Sequence, residues 1–199
     1  MRTVPSSMSP PINHERQANY PAPTRRIGEL YIMKSCAFTG HRPKSLPFGT
    51  REDDPRCTEL KNRLKAEIET QITQNGVTHF ISGMALGVDT FAAEAVLELK
   101  EKYPQITLEC AIPCQNQADK WTETQRARYA AILERADIRT VLQAEYTKDC
   151  MSRRNGYMVD HAQILIAVWN GKPSGTGKTV RYAQKCGKSV IIIDPLSLG

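Results

Sequence analysis

From about residue 31 onward, apolar positions alternate between short dense runs and helical stripes. Tyr31 to Thr39 is dense enough to predict a strand in the middle of a sheet. A polar loop with Pro47, Gly49 and Pro55 follows. Leu60, Leu64, Ile68 and Ile72 then recur at helical spacing, which predicts a helix over residues 58–75 closed by Gly76. Val77 to Ser82 predicts a second strand, and the amphipathic run from Val88 to Lys100 a helix ending near Tyr103-Pro104. Ile106 to Ile112 predicts a third strand, with Pro113 after it. Gln117 to Arg135 reads as a polar helix carrying Trp121, Tyr129, Ile132 and Leu133 on one face. Ile138 to Leu142 predicts a short fourth strand, Met151 to His161 a short helix, and Ala162 to Trp169 a strongly apolar fifth strand. Residues 170–177 read as a glycine loop. Thr179 to Cys186 predicts a helix capped by Gly187, and Ser189 to Ile193 the last strand.

Strands alternating with helices produce a parallel sheet covered on both faces, a three-layer, doubly wound α/β fold. Parallel strands share a direction, so the loops that follow them emerge at one edge. Those loops carry Thr39-Gly40-His41-Arg42, Ser82-Gly83-Met84, Pro113 and Asn170-Gly171. That edge is where open α/β sheets bind ligands. Residues 1–30 are rich in Pro, Ser, Asn and Arg without apolar period, which predicts a disordered or loosely docked tail. Residues 31–199 are expected to form one domain, with no internal repeat.

Charge adds little to this picture. The formal net charge is +6, but the 27 Lys and Arg are scattered among 21 acids without a dense basic run. Aromatic and basic residues are not interleaved either, so nucleic acid is not expected as a partner, whereas a small anionic ligand suits the same charge. The six cysteines form no C-x-x-C and no His-paired spacing, so no metal site is expected. Free thiols imply a reducing, cytoplasmic setting. There is no signal-peptide pattern and no apolar run that predicts membrane insertion.

Three loops hold the candidate chemistry. In Ile81 to Glu94, Gly83 and Gly87 allow positive φ and close backbone approach, and Asp89 falls in the first turn of a helix. A strand feeding a helix through glycines leaves N–H groups that suit phosphate. The same residues also read as a plain connector that needed small side chains. After the first strand, His41 and Arg42 offer two donors beside Gly40, and they read either as ligand contacts or as solvated loop residues. The third loop, Lys172 to Thr179, imitates the G-x-x-x-x-G-K-[ST] phosphate loop but has Lys172 where the first Gly belongs. One helix and one strand after it leave little room for a P-loop nucleotidase. Phosphate cradling by Gly175, Thr176 and Gly177 with Lys178 needs only free N–H groups at a helix start. Trp121 reads as a packing residue, with base stacking as the alternative.

Thr39-Gly40-His41-Arg42-Pro43, together with Ser82-Gly83-Met84-Ala85-Leu86-Gly87-Val88-Asp89 and the following Ala92, Ala93 and Glu94, resembles the YpsA-like family of the SMF/DprA-LOG (SLOG) superfamily. The resemblance runs from about Lys34 to Pro195 and implies a Rossmann-like sheet with a pocket for a nucleoside phosphate or an ADP-ribose- or NAD-like ligand, held for sensing, regulation or sequestration. The residues expected to bind are Thr39, Gly40, His41 and Arg42; Ser82, Gly83, Met84, Gly87 and Asp89; Arg154; and Asn170, Gly175, Thr176, Gly177 and Lys178. Met151-Ser152-Arg153-Arg154-Asn155 is similar to the M-x-x-R-K motif of the LOG phosphoribohydrolases, with Asn155 replacing the Lys. Gly175-Thr176 matches part of their G-G-x-G-T-x-x-E, but Thr179 stands at the Glu position and Lys172-Pro173 interrupts the paired glycines. Cleavage of an N-glycosidic bond needs a carboxylate for the charge on the sugar. A nucleotide N-glycosidase is therefore the alternative, with Arg154 and with Glu94 or Asp89 as its candidates. A structural interaction protein with a vestigial pocket is the second alternative. DprA relatives bind single-stranded DNA, an activity these residues do not carry over. Rossmann-like relatives dimerise through helices, so a homo-oligomer is compatible with the resemblance, although no residue pattern here shows one.

Overall fold

The central strands are buried on both faces, and their successive side chains fall into two layers. The computed structural model describes residues 33–198, and the expected tail over residues 1–30 lies outside them. Six strands are described: β1 (Lys34–Gly40), β2 (Val77–Ser82), β3 (Thr107–Ile112), β4 (Ile138–Val141), β5 (Ile164–Val168) and β6 (Ser189–Ile193). Between them lie α1 (Pro55–Asn75), α2 (Val88–Lys102), α3 (Glu123–Arg135), α4 (Cys150–Asp160) and α5 (Gly175–Lys185). All pairings are parallel, in the order β4-β3-β2-β1-β5-β6. The chain builds outward from β1 to β4, then crosses back through α4 and sets β5 on the other side of β1. The direction of winding therefore reverses between β1 and β5.

Cys36 and Phe38 of β1 pack in one layer with Leu60, Leu64 and Ile68 of α1, Phe91 and Val96 of α2, and Ile132 of α3. Phe38 stacks against Phe80 of β2 with ring centroids 6.0 Å apart. Ala37 faces the other way, into a smaller core with Ile81, Leu165, Met158, Val159, Val180 and Ala183. The doubly wound α/β architecture read from the sequence is thus the one observed. Five of the six cysteines are buried and all are free thiols. Among the described residues, no helix is long and apolar enough to cross a membrane.

Three helix starts differ from the hydrophobic pattern, and capping explains each. Asp54 accepts from the Arg56 N–H at 2.9 Å, and Pro55 takes the first helical position, so α1 begins before its first apolar stripe. The expected helix from Gln117 instead begins at Glu123. A reciprocal box between Thr122 and Gln125 fixes that boundary, and residues 115–120 form turns. The helix expected from Thr179 begins at Gly175, because Ser174 Oγ accepts from the Gly177 N–H at 3.1 Å. The last three residues of the 170–177 loop are therefore the first turn of α5.

Candidate functional site

Thr39 and Gly40 of β1 lie in register with Ala167 and Val168 of β5 at the carboxyl edge of the sheet. The start of α5 opens onto this switch point, which is the expected ligand position in an open α/β sheet. A cavity of about 290 Å³ occupies it. Thr39, Gly40, His41, Arg42 and Ser45 form one wall, Ala85 and Asp89 another, and Met151, Arg154 and Asn155 of α4 a third; Ser174, Gly175 and Thr176 complete it.

Two glycines bring the start of α2 onto the end of β1. A Cβ on Gly40 would lie 2.4 Å from Val88 Cβ. Gly87 has φ +96°, and a Cβ there would lie 2.8 Å from the His41 carbonyl oxygen. Gly83 is required for a different reason from the left-handed turn its position suggests. The positive φ in that turn belongs to Met84, at 56°, whereas a Cβ on Gly83 would fall 1.7 Å from Arg154 Nη1.

The polar groups of this loop are used within the chain. Ser82 Oγ donates to the Asp89 carbonyl at 2.8 Å and accepts from the Met84 N–H at 3.3 Å. Asp89 Oδ2 accepts from the Ala85 N–H at 3.3 Å, and the Val88 N–H points at the His41 carbonyl at 3.5 Å. Thr90 Oγ1 donates to the Ala85 carbonyl, and Gln117 Nε2 donates to that of Met84. The carboxylate of Asp89 thereby takes the place in which the glycine pattern suggests a phosphate. Ser82, Gly83, Met84 and Gly87 do not line the cavity; they hold Asp89 and make room for Arg154.

Arg154 is the central charge. Its Nη1 lies 3.1 Å from Asp89 Oδ2 and also donates to the Gly83 carbonyl, with both side chains almost fully buried. Burial pushes the Asp89 carboxyl up and the Arg154 guanidinium down, and their mutual attraction opposes both shifts. Arg154 Nε is buried without a hydrogen-bond partner among the described residues, as is His41 Nε2. Leaving such groups unsatisfied costs about 1–3 kcal/mol each, and more for a charged group. At the start of α5, Ser174 satisfies Gly177, while the N–H groups of Gly175 and Thr176 have no intrahelical acceptor. The positive end of that helix faces the same cavity.

The other expected residues fall around this centre. Lys178 borders an adjoining groove between α4 and α5. Asn170 shapes its own loop, its Oδ1 accepting from the Lys172 N–H at 3.2 Å. Gly177 lies against the Trp169 ring, 3.0 Å from where its Cβ would be. Thr179, at the position of the hydrolase carboxylate, accepts from Asn155 Nδ2 at 2.9 Å and donates to the Gly175 carbonyl at 3.1 Å. Glu94 lies outside the cavity, held by Arg128 through two 2.6 Å bonds. Trp121 packs edge-on against Tyr129 at 5.3 Å. Ser45, Ala85, Met151, Asn155 and Ser174 line the cavity but are not among the expected binding residues; the N-cap preference of serine was the one signal pointing to Ser174, and Met151 and Asn155 carried only the M-x-x-R-K similarity. Among the described residues, no group of three His, Cys, Asp or Glu side chains could hold a metal ion.

Residues 36–193 match the YspA SLOG family along most of the described fold. The chain belongs to that family. This SLOG chain is 34% identical over 144 residues to the uncharacterized SPbeta prophage-derived protein YoqJ of Bacillus subtilis strain 168, covering 66% of the chain and 84% of that protein. It is 28% identical over 155 residues to a UPF0398 protein of Bacillus thuringiensis strain Al Hakam, covering 77% and 83%. Among solved structures, the SLOG domain is similar to DNA processing protein A (DprA) from Streptococcus pneumoniae, with a TM-score of 0.55 at 17% identity, covering 81% of this chain and 50% of that one. DprA from Helicobacter pylori, described for its single-stranded DNA binding mode, gives a TM-score of 0.53 at 20% identity, with 81% and 65% covered. The SLOG chain thus spans about half the length of the pneumococcal DprA chain, and at these identities the likeness is one of fold.

Proposed function

We propose that this SLOG domain binds a nucleoside phosphate or an ADP-ribose-like nucleotide in the crevice between β1 and β5, for sensing or sequestration. The observation that carries the reading is that His41 and Arg154, two residues lining the cavity, each keep a buried nitrogen without a partner among the described residues, while the open start of α5 faces the same cavity. A phosphate is a many-fold acceptor, and what this cavity has in excess is donors. Gly175 and Thr176 supply backbone N–H groups, and Arg42, exposed at the rim, supplies charge. Asp89 holds Arg154 in place.

Binding without cleavage follows from the carboxylates. Among the described residues, Asp89 is the one carboxylate lining the cavity, and it is engaged by Arg154 and the Ala85 N–H. Glu94 is committed to Arg128, and position 179 is a hydrogen-bonded threonine. Among the described residues, no free carboxylate lines the cavity to meet the positive charge that glycosidic cleavage builds on the sugar.

Titration calorimetry with AMP, GMP, ADP, ADP-ribose and NAD tests the proposal. One-to-one binding of at least one of them is expected, lost or strongly weakened in Arg42→Gln, without release of free base. Failure of all of them at millimolar concentration sinks the reading. A short single-stranded oligonucleotide belongs in the same panel, because a structural relative is described for that binding. An oligonucleotide that binds while no mononucleotide does replaces the small-ligand reading with a nucleic-acid one.

A further inference from the structure

The cavity does not end at α5. A second depression of about 420 Å³ runs between α4 and α5, and it shares Met151, Asn155 and Gly175 with the first. Gly156 lines it from the interior of α4. A Cβ built there meets nothing within 4 Å, and its backbone is helical. Neither conformation nor packing within the described chain asks for glycine, although a mid-helix glycine is less stable than alanine. Gly175, on the facing helix, is equally open. Two glycines on opposite helices leave the groove open beside the Asn155–Thr179 hydrogen bond that joins α4 to α5, a shape that suits a planar ring.

The far wall carries an aromatic face. Tyr182 is 41% exposed, and its hydroxyl donates to Asp160 Oδ1 at 2.8 Å, which pins the ring. From Gly175 to Tyr182 is two turns of α5, ~10 Å at the usual helical rise. A ligand with its phosphate at the start of α5 therefore has room to lay a sugar and base along the groove. The alternative platform, Trp121, is already packed against Tyr129 and borders a cleft of only about 80 Å³.

We infer that the α4–α5 groove is the base-binding subsite of this crevice, with Tyr182 as the stacking face and Gly156 keeping the groove open. The inference rests on the phosphate reading of the adjoining cavity, and ribose 5-phosphate separates the two, since it carries the phosphate and sugar without the base. Its affinity is compared with those of AMP and GMP in the wild type, Gly156→Leu, Tyr182→Ala and Tyr182→Phe. Base stacking predicts that at least one nucleotide binds roughly tenfold or more tighter than ribose 5-phosphate in the wild type and in Tyr182→Phe. In Gly156→Leu and Tyr182→Ala that advantage collapses while ribose 5-phosphate binds as before. Leucine is the better helix former, so Gly156→Leu melts no lower than the wild type. An advantage that survives in both of those variants overturns the subsite, as does equal binding of nucleotide and ribose 5-phosphate by the wild type. In either case the phosphate reading stands. If ribose 5-phosphate and every nucleotide of the calorimetric panel fail to bind the wild type, both readings fall.

Discussion

Adding one methyl group at Gly83 tests the arrangement at the centre of the site. In Gly83→Ala the new Cβ would sit 1.7 Å from Arg154 Nη1, 2.4 Å from its Cζ and 2.8 Å from Asp89 Oδ2. The guanidinium has no easy retreat, because it is buried and tied to both the Gly83 carbonyl and Asp89. Overpacking alone costs about 1–3 kcal/mol. Displacing Arg154 also leaves Asp89 buried without its counter-charge, and breaking such a pair costs about 3–5 kcal/mol. The two penalties relieve each other in part, so the expected loss is about 3–5 kcal/mol, near the larger of them. At roughly 2–4 °C per kcal/mol for a chain of this size, the Tm falls by about 6–20 °C. Urea and thermal unfolding measure both quantities. Gly175→Ala is the control, because its Cβ meets nothing within 4 Å, and it should stay within about 0.5 kcal/mol of the wild type. The decisive comparison is the same substitution in an Arg154→Ala background, where the two closest contacts are gone and only the 2.8 Å approach to Asp89 Oδ2 remains, so the loss should be clearly smaller. An equal loss in both backgrounds, or none in the wild type, refutes the account of Gly83.

Three further outcomes follow from neighbouring features. Arg42 is exposed and makes no ion pair among the described residues, so Arg42→Gln should weaken nucleotide binding and flatten its salt dependence while leaving the Tm nearly unchanged, as calorimetry at two salt concentrations will read. Glu94→Gln should leave nucleotide affinity unaltered and cost on the order of 1 kcal/mol of stability by urea unfolding, since it loosens a half-exposed ion pair away from the cavity. Burial alone would raise the Glu109 carboxyl, but hydrogen bonds from His79, Thr140 and Tyr157 outweigh it and hold the group below its ordinary value of 4.5. A depressed folded value means that this contribution is complete above the unfolded value and is lost as pH falls through the folded one. The urea midpoint should therefore drop on acidification below about pH 4.5, and the acid limb should be shallower in Glu109→Gln.

The layered sheet was legible because strands buried on both faces are unbroken apolar runs; Cys36, Ala37 and Phe38 point to opposite layers and are all apolar. Helix starts were less legible, because Asp54, Thr122 and Ser174 set them through capping bonds that apolar spacing does not register. At the site, Thr39 to Arg42, Arg154, Gly175 and Thr176 converge as the shared strand direction requires. The Ser82–Gly87 loop was recognised as special, but its purpose was hidden. Glycine serves a left-handed turn and a close approach equally well, and only the arrival of Arg154 from α4 shows that Gly83 serves the second. The same holds for Glu94, whose partner Arg128 comes from a different helix. Residues whose role is set by a distant neighbour carry no local mark.

The reversal between β1 and β5 also bears on how the molecule opens. The strands from β1 to β4 are added one beside the next, each closing a modest loop, whereas β5 reaches β1 only after most of the chain has been laid down. The sheet therefore has a seam, and the crevice lies across it, with β1 and α2 on one bank and α5 on the other. A ligand seated there acts as a clasp. At a hundred times its Kd it adds about 2.7 kcal/mol to every opening that parts the seam, and nothing to fraying of the β4 edge. Amide exchange with and without nucleotide should then draw the line of the seam directly, slowing in β5 and α5 while the outer strand exchanges as before.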